Sequence, residues 1–198
     1  MKALPQSLEN LIDEFSKLPG IGRKTAERLS IYILKANEEQ VFKFSETLSD
    51  LKNNIGKCEI CHSFVDKECI ICNNPLRNSK IICVVEDPVD IFLIEKSGFK
   101  GLYHVLDGLI SPLDGVKAEN LNIDTLIDRL TDIDEVVLGI EASSEGDMTN
   151  LYLADLIKKY NIKVTRFSRG MPIGSSLEFI DEITLTHSIN DRVELKWW

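Results

Sequence analysis

Apolar residues recur at helical spacing along the first part of the chain. Over residues 7–18 they fall at Leu8, Leu11, Ile12, Phe15 and Leu18, with Ser7 placed to cap the helix. A second stripe comprises Ala26, Leu29 and Ile33, and a third Val41, Phe44, Leu48, Leu51 and Ile55, ending near Gly56. Three amphipathic helices in so short a stretch predict a compact bundle. From Lys80 the pattern changes. Residues 81–86 form an unbroken run, Ile-Ile-Cys-Val-Val-Glu, of the kind parallel sheets bury on both faces. Further strands are predicted at 102–106, 136–140 and 162–167, and helices at 89–95 (closed by Gly98), 125–130 and 148–160. Such alternation predicts an α/β fold, a parallel sheet wrapped by crossover helices, with function gathered at the carboxyl ends of the strands.

Between these regions lie Cys58-Glu-Ile-Cys61 and, seven residues on, Cys69-Ile-Ile-Cys72. Paired knuckles bring four thiolates to one ion in the tetrahedral geometry that zinc prefers, and a closed sulfur site holds structure rather than performing catalysis. Two disulfides, a redox pair or an iron–sulfur cluster are the alternatives. Residues 1–15 meet Glu9, Asp13 and Glu14 without a long apolar run, so no signal peptide is expected. A cytoplasmic chain keeps its thiols reduced, which favours metal over disulfides. No stretch is long enough to cross a membrane. A metal clip also suits the thin helical region beside it.

The 198-residue chain carries a formal charge of −9, yet residues 16–35 hold five Lys or Arg against one Glu. Within them runs Leu18-Pro-Gly-Ile-Gly-Arg-Lys-Thr-Ala-Glu-Arg-Leu29. Gly20 and Gly22 permit unusual backbone angles and close approach of another backbone. The helix that follows points free N–H groups outward, a setting for phosphate. Arg23 and Lys24 in its first turn, with Arg28 one turn beyond Lys24, oppose the helix dipole and so suggest an anionic partner. An ordinary turn with a solvated basic face is the plainer alternative.

Acidic residues collect at the predicted strand ends: Glu86 after the first strand, Glu141 after the third, then Glu145 and Asp147. They suit a magnesium nest, or they complement the first turn of a helix. Cys83 reads as a small buried hydrophobe, and His62, beside Cys61, as a spare ligand that four thiolates make unnecessary. Near the end, an apolar stretch closing in Asp181-Glu182 resembles a Walker B strand, but no G-x-x-x-x-G-K-[ST] loop accompanies it.

The order of parts (glycine hairpin, four-cysteine finger, acidic α/β segment and the tail Arg169-Gly-Met-Pro-Ile-Gly174) resembles the RecR family of bacterial recombination mediators over essentially the whole length. Leu-Pro-Gly-Ile-Gly, the paired CxxC with Pro75-x-Arg77, and Glu-Gly-Asp carry the likeness. It implies a helix-hairpin-helix region at 1–56, a zinc finger at 57–79, a Toprim-like domain at 80–167 and a C-terminal Walker-B-like extension at 168–198. It further implies a homo-oligomeric ring, a dimer or tetramer, that binds DNA through the hairpin without reading sequence, Lys24 and Arg28 making the contacts. RecO and sometimes RecF would be its partners in loading RecA on single strands. Active Toprim enzymes show Asp-x-Asp-x-Glu-Gly where this chain has Glu141, Ser143, Glu145 and Gly146, and RecR proteins usually show Asn-Pro-Thr there. Ser175 and Ser176 stand where the family commonly has glycine. A magnesium-dependent Toprim nuclease is the competing expectation, with the acidic cluster otherwise reserved for a protein partner.

Overall fold

A computed structural model describes residues 4–194. The chain divides into two compact units, one ending at Ile55 and the other beginning at Gly56.

The first unit is three helices: α1 (Gln6–Ser16), α2 (Arg23–Lys35) and α3 (Glu38–Asn54). Helices α1 and α2 pack together around Ile12, Ala26 and Ser30, all buried. Ser7 is not the cap expected of it; α1 starts one residue earlier, after Pro5, with no side-chain cap bond. Helix α3 is properly capped, the side chain of Asn37 accepting from the Gln40 N–H, but it buries none of its residues. Helix α3 is therefore only loosely joined to the other two: it has the periodicity of a packed helix, but of its apolar stripe only Val41 is half-buried.

In the second unit a two-stranded ribbon, β1 (Gly56–Lys57) with β2 (Phe64–Val65), begins the finger. There follow β3 (Asn78–Val85), α4 (Pro88–Glu95), β4 (Gly101–Val105), α5 (Ile123–Asp128), β5 (Glu135–Leu138), α6 (Ser144–Lys158) and β6 (Lys163–Arg166). The four long strands make a parallel sheet in the order β4-β3-β5-β6. The unbroken apolar run of β3 is explained by its central place, since alternate residues feed two cores. Ile82 and Val84 join Leu126, Leu130, Leu153 and Ile157 under α5 and α6. Cys83 and Val85 join Ile91, Tyr103 and Val105 on the other face, where the finger cysteines complete the core. The finger thus serves as half a layer. Burial pushes the Cys83 thiol up to about 12, so it stays a neutral hydrophobe.

Helix α4 opens on a capping box: Asp87 accepts from the Val89 N–H while Asp90 accepts from that of Asp87. The tail departs from expectation. Among the described residues no strand lies between β6 and Asp181; residues Leu177–Phe179 form one turn of 3-10 helix. Asp181 instead caps α7 (Glu182–Asn190), accepting from the Thr184 N–H and hydroxyl. A capping carboxylate that follows an apolar stretch mimics a Walker B ending in sequence alone.

Candidate functional site

The four knuckle cysteines converge. Their sulfurs all lie within 4.8 Å of one another, Cys61 and Cys69 at 3.5 Å, and none is in a disulfide. A tetrahedral zinc–thiolate site places its sulfurs about 3.8 Å apart, from bonds of about 2.3 Å, so the set fits a single ion after slight adjustment. Backbone N–H groups of Ile60 and Cys72 point at the sulfurs of Cys58 and Cys69, each at 3.4 Å, and Ser63 Oγ lies 3.1 Å from Cys61. Donors arranged around sulfur favour thiolate. Bonding from Cys72 and Ser63 draws the Cys61 thiol down to about 4 against the cost of burial. Its partner Cys72 is driven up by the same bond and by burial, and burial also raises Cys58. The knuckle sets aside protons that a cation would displace, the donor set of a structural metal centre. His62 is not a ligand: its Nε2 meets the Thr125 hydroxyl at 2.9 Å.

At the hairpin, Gly20 has φ +79°, a left-handed turn that glycine fits at no cost. Gly22 does not share that need; at φ −77° it is the ordinary extended N-cap of α2. Both face open space, so a partner can approach. The three cations differ. Arg23 reaches Asp13 at 3.2 Å and Glu27 at 3.6 Å, so its charge is largely met at home. Lys24 and Arg28 are exposed, one turn apart, and make no ion pair among the described residues.

The acidic residues do not form a comparable nest. Among the described residues, the four cysteines are the one group of three or more His, Cys, Asp or Glu ligands close enough to share an ion. Glu145 and Asp147 sit in the first turn of α6, where Ser143 caps by accepting from the Gly146 N–H at 3.0 Å. A side chain on Gly146 would collide with the Glu141 carbonyl, so glycine lets the loop after β5 close tightly onto this helix. Asp147 is engaged by Arg169, a pairing that sequence spacing gave no means of finding. Burial and then the neighbouring Glu141, Asp90 and Asp87 carboxylates raise the pKa of Glu86. The cluster is thus a loose negative surface rather than a converged ligand set.

Comparison with known proteins matches the helix-hairpin-helix of RecR at residues 8–52, a Toprim domain at 80–168 and the RecR C-terminal region at 170–193. Recombination protein RecR of Chloroherpeton thalassium is 47% identical over 98% of this chain and 100% of its own. This chain belongs to the RecR family. Recombination protein RecR from Pelodictyon phaeoclathratiforme is 44% identical, covering 97% of this chain and 98% of its own, and that of Dehalococcoides mccartyi 45%, covering 94% and 93%. In RecR terms, the finger falls between the hairpin and Toprim matches, and α7 lies within the C-terminal region. No helix among the described residues is long and apolar enough to cross a membrane.

Proposed function

We propose that this RecR-family chain works in DNA recombination and repair as a non-enzymatic DNA-binding mediator, assembled as a ring of like subunits around a zinc-stabilised finger. The observation that carries the reading is the contrast within the hairpin. Arg23 is held by carboxylates, while Lys24 and Arg28 are exposed and make no ion pair among the described residues, beside a helix N-terminus. That arrangement suits phosphate, which positions a protein on DNA without conveying sequence. Two such cations per subunit bind weakly, and a ring multiplies them through avidity. The uncovered apolar face of α3 favours self-association as the source of that ring. A closed all-thiolate set, with Cys58, Cys61 and Cys69 buried and Cys72 partly so, supports zinc as the ion.

The acidic surface of Glu86, Glu141 and Glu145, beside an Asp147 already engaged by Arg169, is assigned to a basic protein partner, RecO, with RecF an additional candidate, in the loading of RecA on single strands. Steering of that kind needs exposed charge but no fixed ligand geometry. Phosphodiester cleavage needs metal held by a complete set of ligands, and Ser143, used here as a helix cap, occupies a position where active Toprim enzymes carry a carboxylate.

Reversing Lys24 and Arg28 together to Glu should abolish retention of single- and double-stranded DNA. It should also flatten the salt dependence, each lost phosphate contact removing a slope of about 0.7–0.9. Arg23→Gln should change affinity less than twofold. A double variant that binds like the parent would remove the hairpin from the interface. Nicking of supercoiled DNA with Mg²⁺ that disappears in Glu86→Gln would replace the mediator by a Toprim nuclease.

A further inference from the structure

The knuckle does more than gather sulfurs; it closes one edge of the sheet. β4 is an edge strand paired on one side with β3, and an open edge leaves backbone groups without partners. Here the Val105 N–H donates to the Cys61 carbonyl at 2.9 Å, so the finger itself covers that edge. The neighbouring outward carbonyl, Tyr103, accepts from Arg129 Nη1 at 2.8 Å. The same nitrogen lies 3.3 Å from the Ile60 carbonyl, inside the first CxxC, and 3.0 Å from His104 Nδ1.

Arg129 is the C-cap of α5, one helical turn after Thr125, which meets His62. One short helix therefore turns Ile123 and Leu126 into the core and Thr125 and Arg129 to the finger. His104, fully buried, donates from Nε2 to the Asn122 carbonyl at 2.6 Å, leaving Nδ1 free to accept from Arg129.

Arg129 forms no ion pair with a carboxylate among the described residues, although it is half-buried. Desolvated guanidinium requires compensation. Here three acceptors meet it, the carbonyls of Ile60 and Tyr103 and Nδ1 of His104.

We propose that Arg129 is the positioning residue of the metal centre: through the Ile60 and Tyr103 carbonyls it fixes the first knuckle on the edge strand β4. The inference rests on the zinc reading above. It assigns metal retention in part to a residue 57 positions beyond the last cysteine, in the Toprim-like region.

The test compares full-length parent, R129Q, R129K and L126V, each loaded with zinc and titrated with a chromophoric chelator. Cobalt(II) spectra report the sulfur geometry and denaturant melts the stability. Loss of a group that supports metal ligands typically costs 10–100-fold in affinity, so R129Q should release zinc that much more readily. R129K, which keeps charge without the planar fork, should lose several-fold. L126V loosens the same helix but keeps Arg129, and should hold zinc as the parent does. Parent-like retention in R129Q overturns the proposal, as does an L126V variant that releases zinc as readily as R129Q. Should R129Q not fold, parent-like retention by folded R129K overturns it and several-fold weaker retention supports it. A parent that takes up neither zinc nor cobalt overturns the metal reading itself, and this inference with it.

Discussion

Helix α3 and strand β3 are both rich in apolar residues, and they meet opposite fates. In β3 the side chains of Ile82, Cys83, Val84 and Val85 are at most 1% exposed, because cores lie on both faces of the sheet. On α3, Phe42, Phe44, Leu48 and Leu51 are between 46% and 70% exposed. A cavity of about 940 Å³ lined by Leu8, Leu11, Ile33, Val41 and Phe42 marks where the helical unit fails to close on itself. An amphipathic period therefore specifies a face but not what covers it. The sheet of the second unit buries its apolar strands on both faces, whereas α3 leaves most of its stripe in solvent.

The strongest way to break this contrast is to remove the metal. Cys61→Ser, or exhaustive chelation, should lower the thermal midpoint by on the order of 10 °C, roughly 3–5 kcal/mol, because the knuckle is part of a core. An unchanged midpoint in a protein shown to be metal-free would mean the second unit stands without its finger. Next in size is a matched pair of truncations. Leu126→Ala should cost about 2–5 kcal/mol in denaturant melts. Phe42→Ala at high dilution should cost under about 0.5 kcal/mol while weakening self-association in sedimentation. Equal costs would show that α3 is packed after all.

A further test concerns acid. Burial lowers the pKa of His104 to about 3, the bond to Asn122 opposing and the nearby Arg129 charge reinforcing the shift. The unfolded chain takes up that proton near 6.5 and the folded chain does not until much lower pH. Stability is therefore complete above 6.5 and declines as pH falls toward 3, by at most about 1.4 kcal/mol per pH unit. Melts at pH 7 and pH 5 with zinc in excess, read beside an NMR titration of the His104 ring, check this. A ring that protonates between those pH values sinks it.

Much of this was legible because it depends on local pattern. The run in β3, the periodic α6 and the cysteine spacing each contain their own explanation. Errors arose where two meanings share one pattern. Ser7 looked like a cap until Pro5 began the helix, and Asp181 looked like the end of a strand until it capped α7. Pairings across long separations left no mark on spacing. Neither the bond between Asp147 and Arg169 nor that from Arg129 to the knuckle follows from any local pattern, and both change what the neighbouring charges can do. Lys24 and Arg28 stood out from composition, but the local neutralisation of Arg23 needed coordinates.

The arginine docked on the knuckle also bears on biosynthesis. Ribosomes add about 5–20 residues per second, so Cys72 leaves the tunnel roughly 3–11 seconds before Arg129 does. During that interval the thiols have neither the β4 edge nor the guanidinium beside them. Metal delivery to the nascent chain, or a reducing environment, must bridge the gap, and oxidative stress would strike this protein hardest while it is being made.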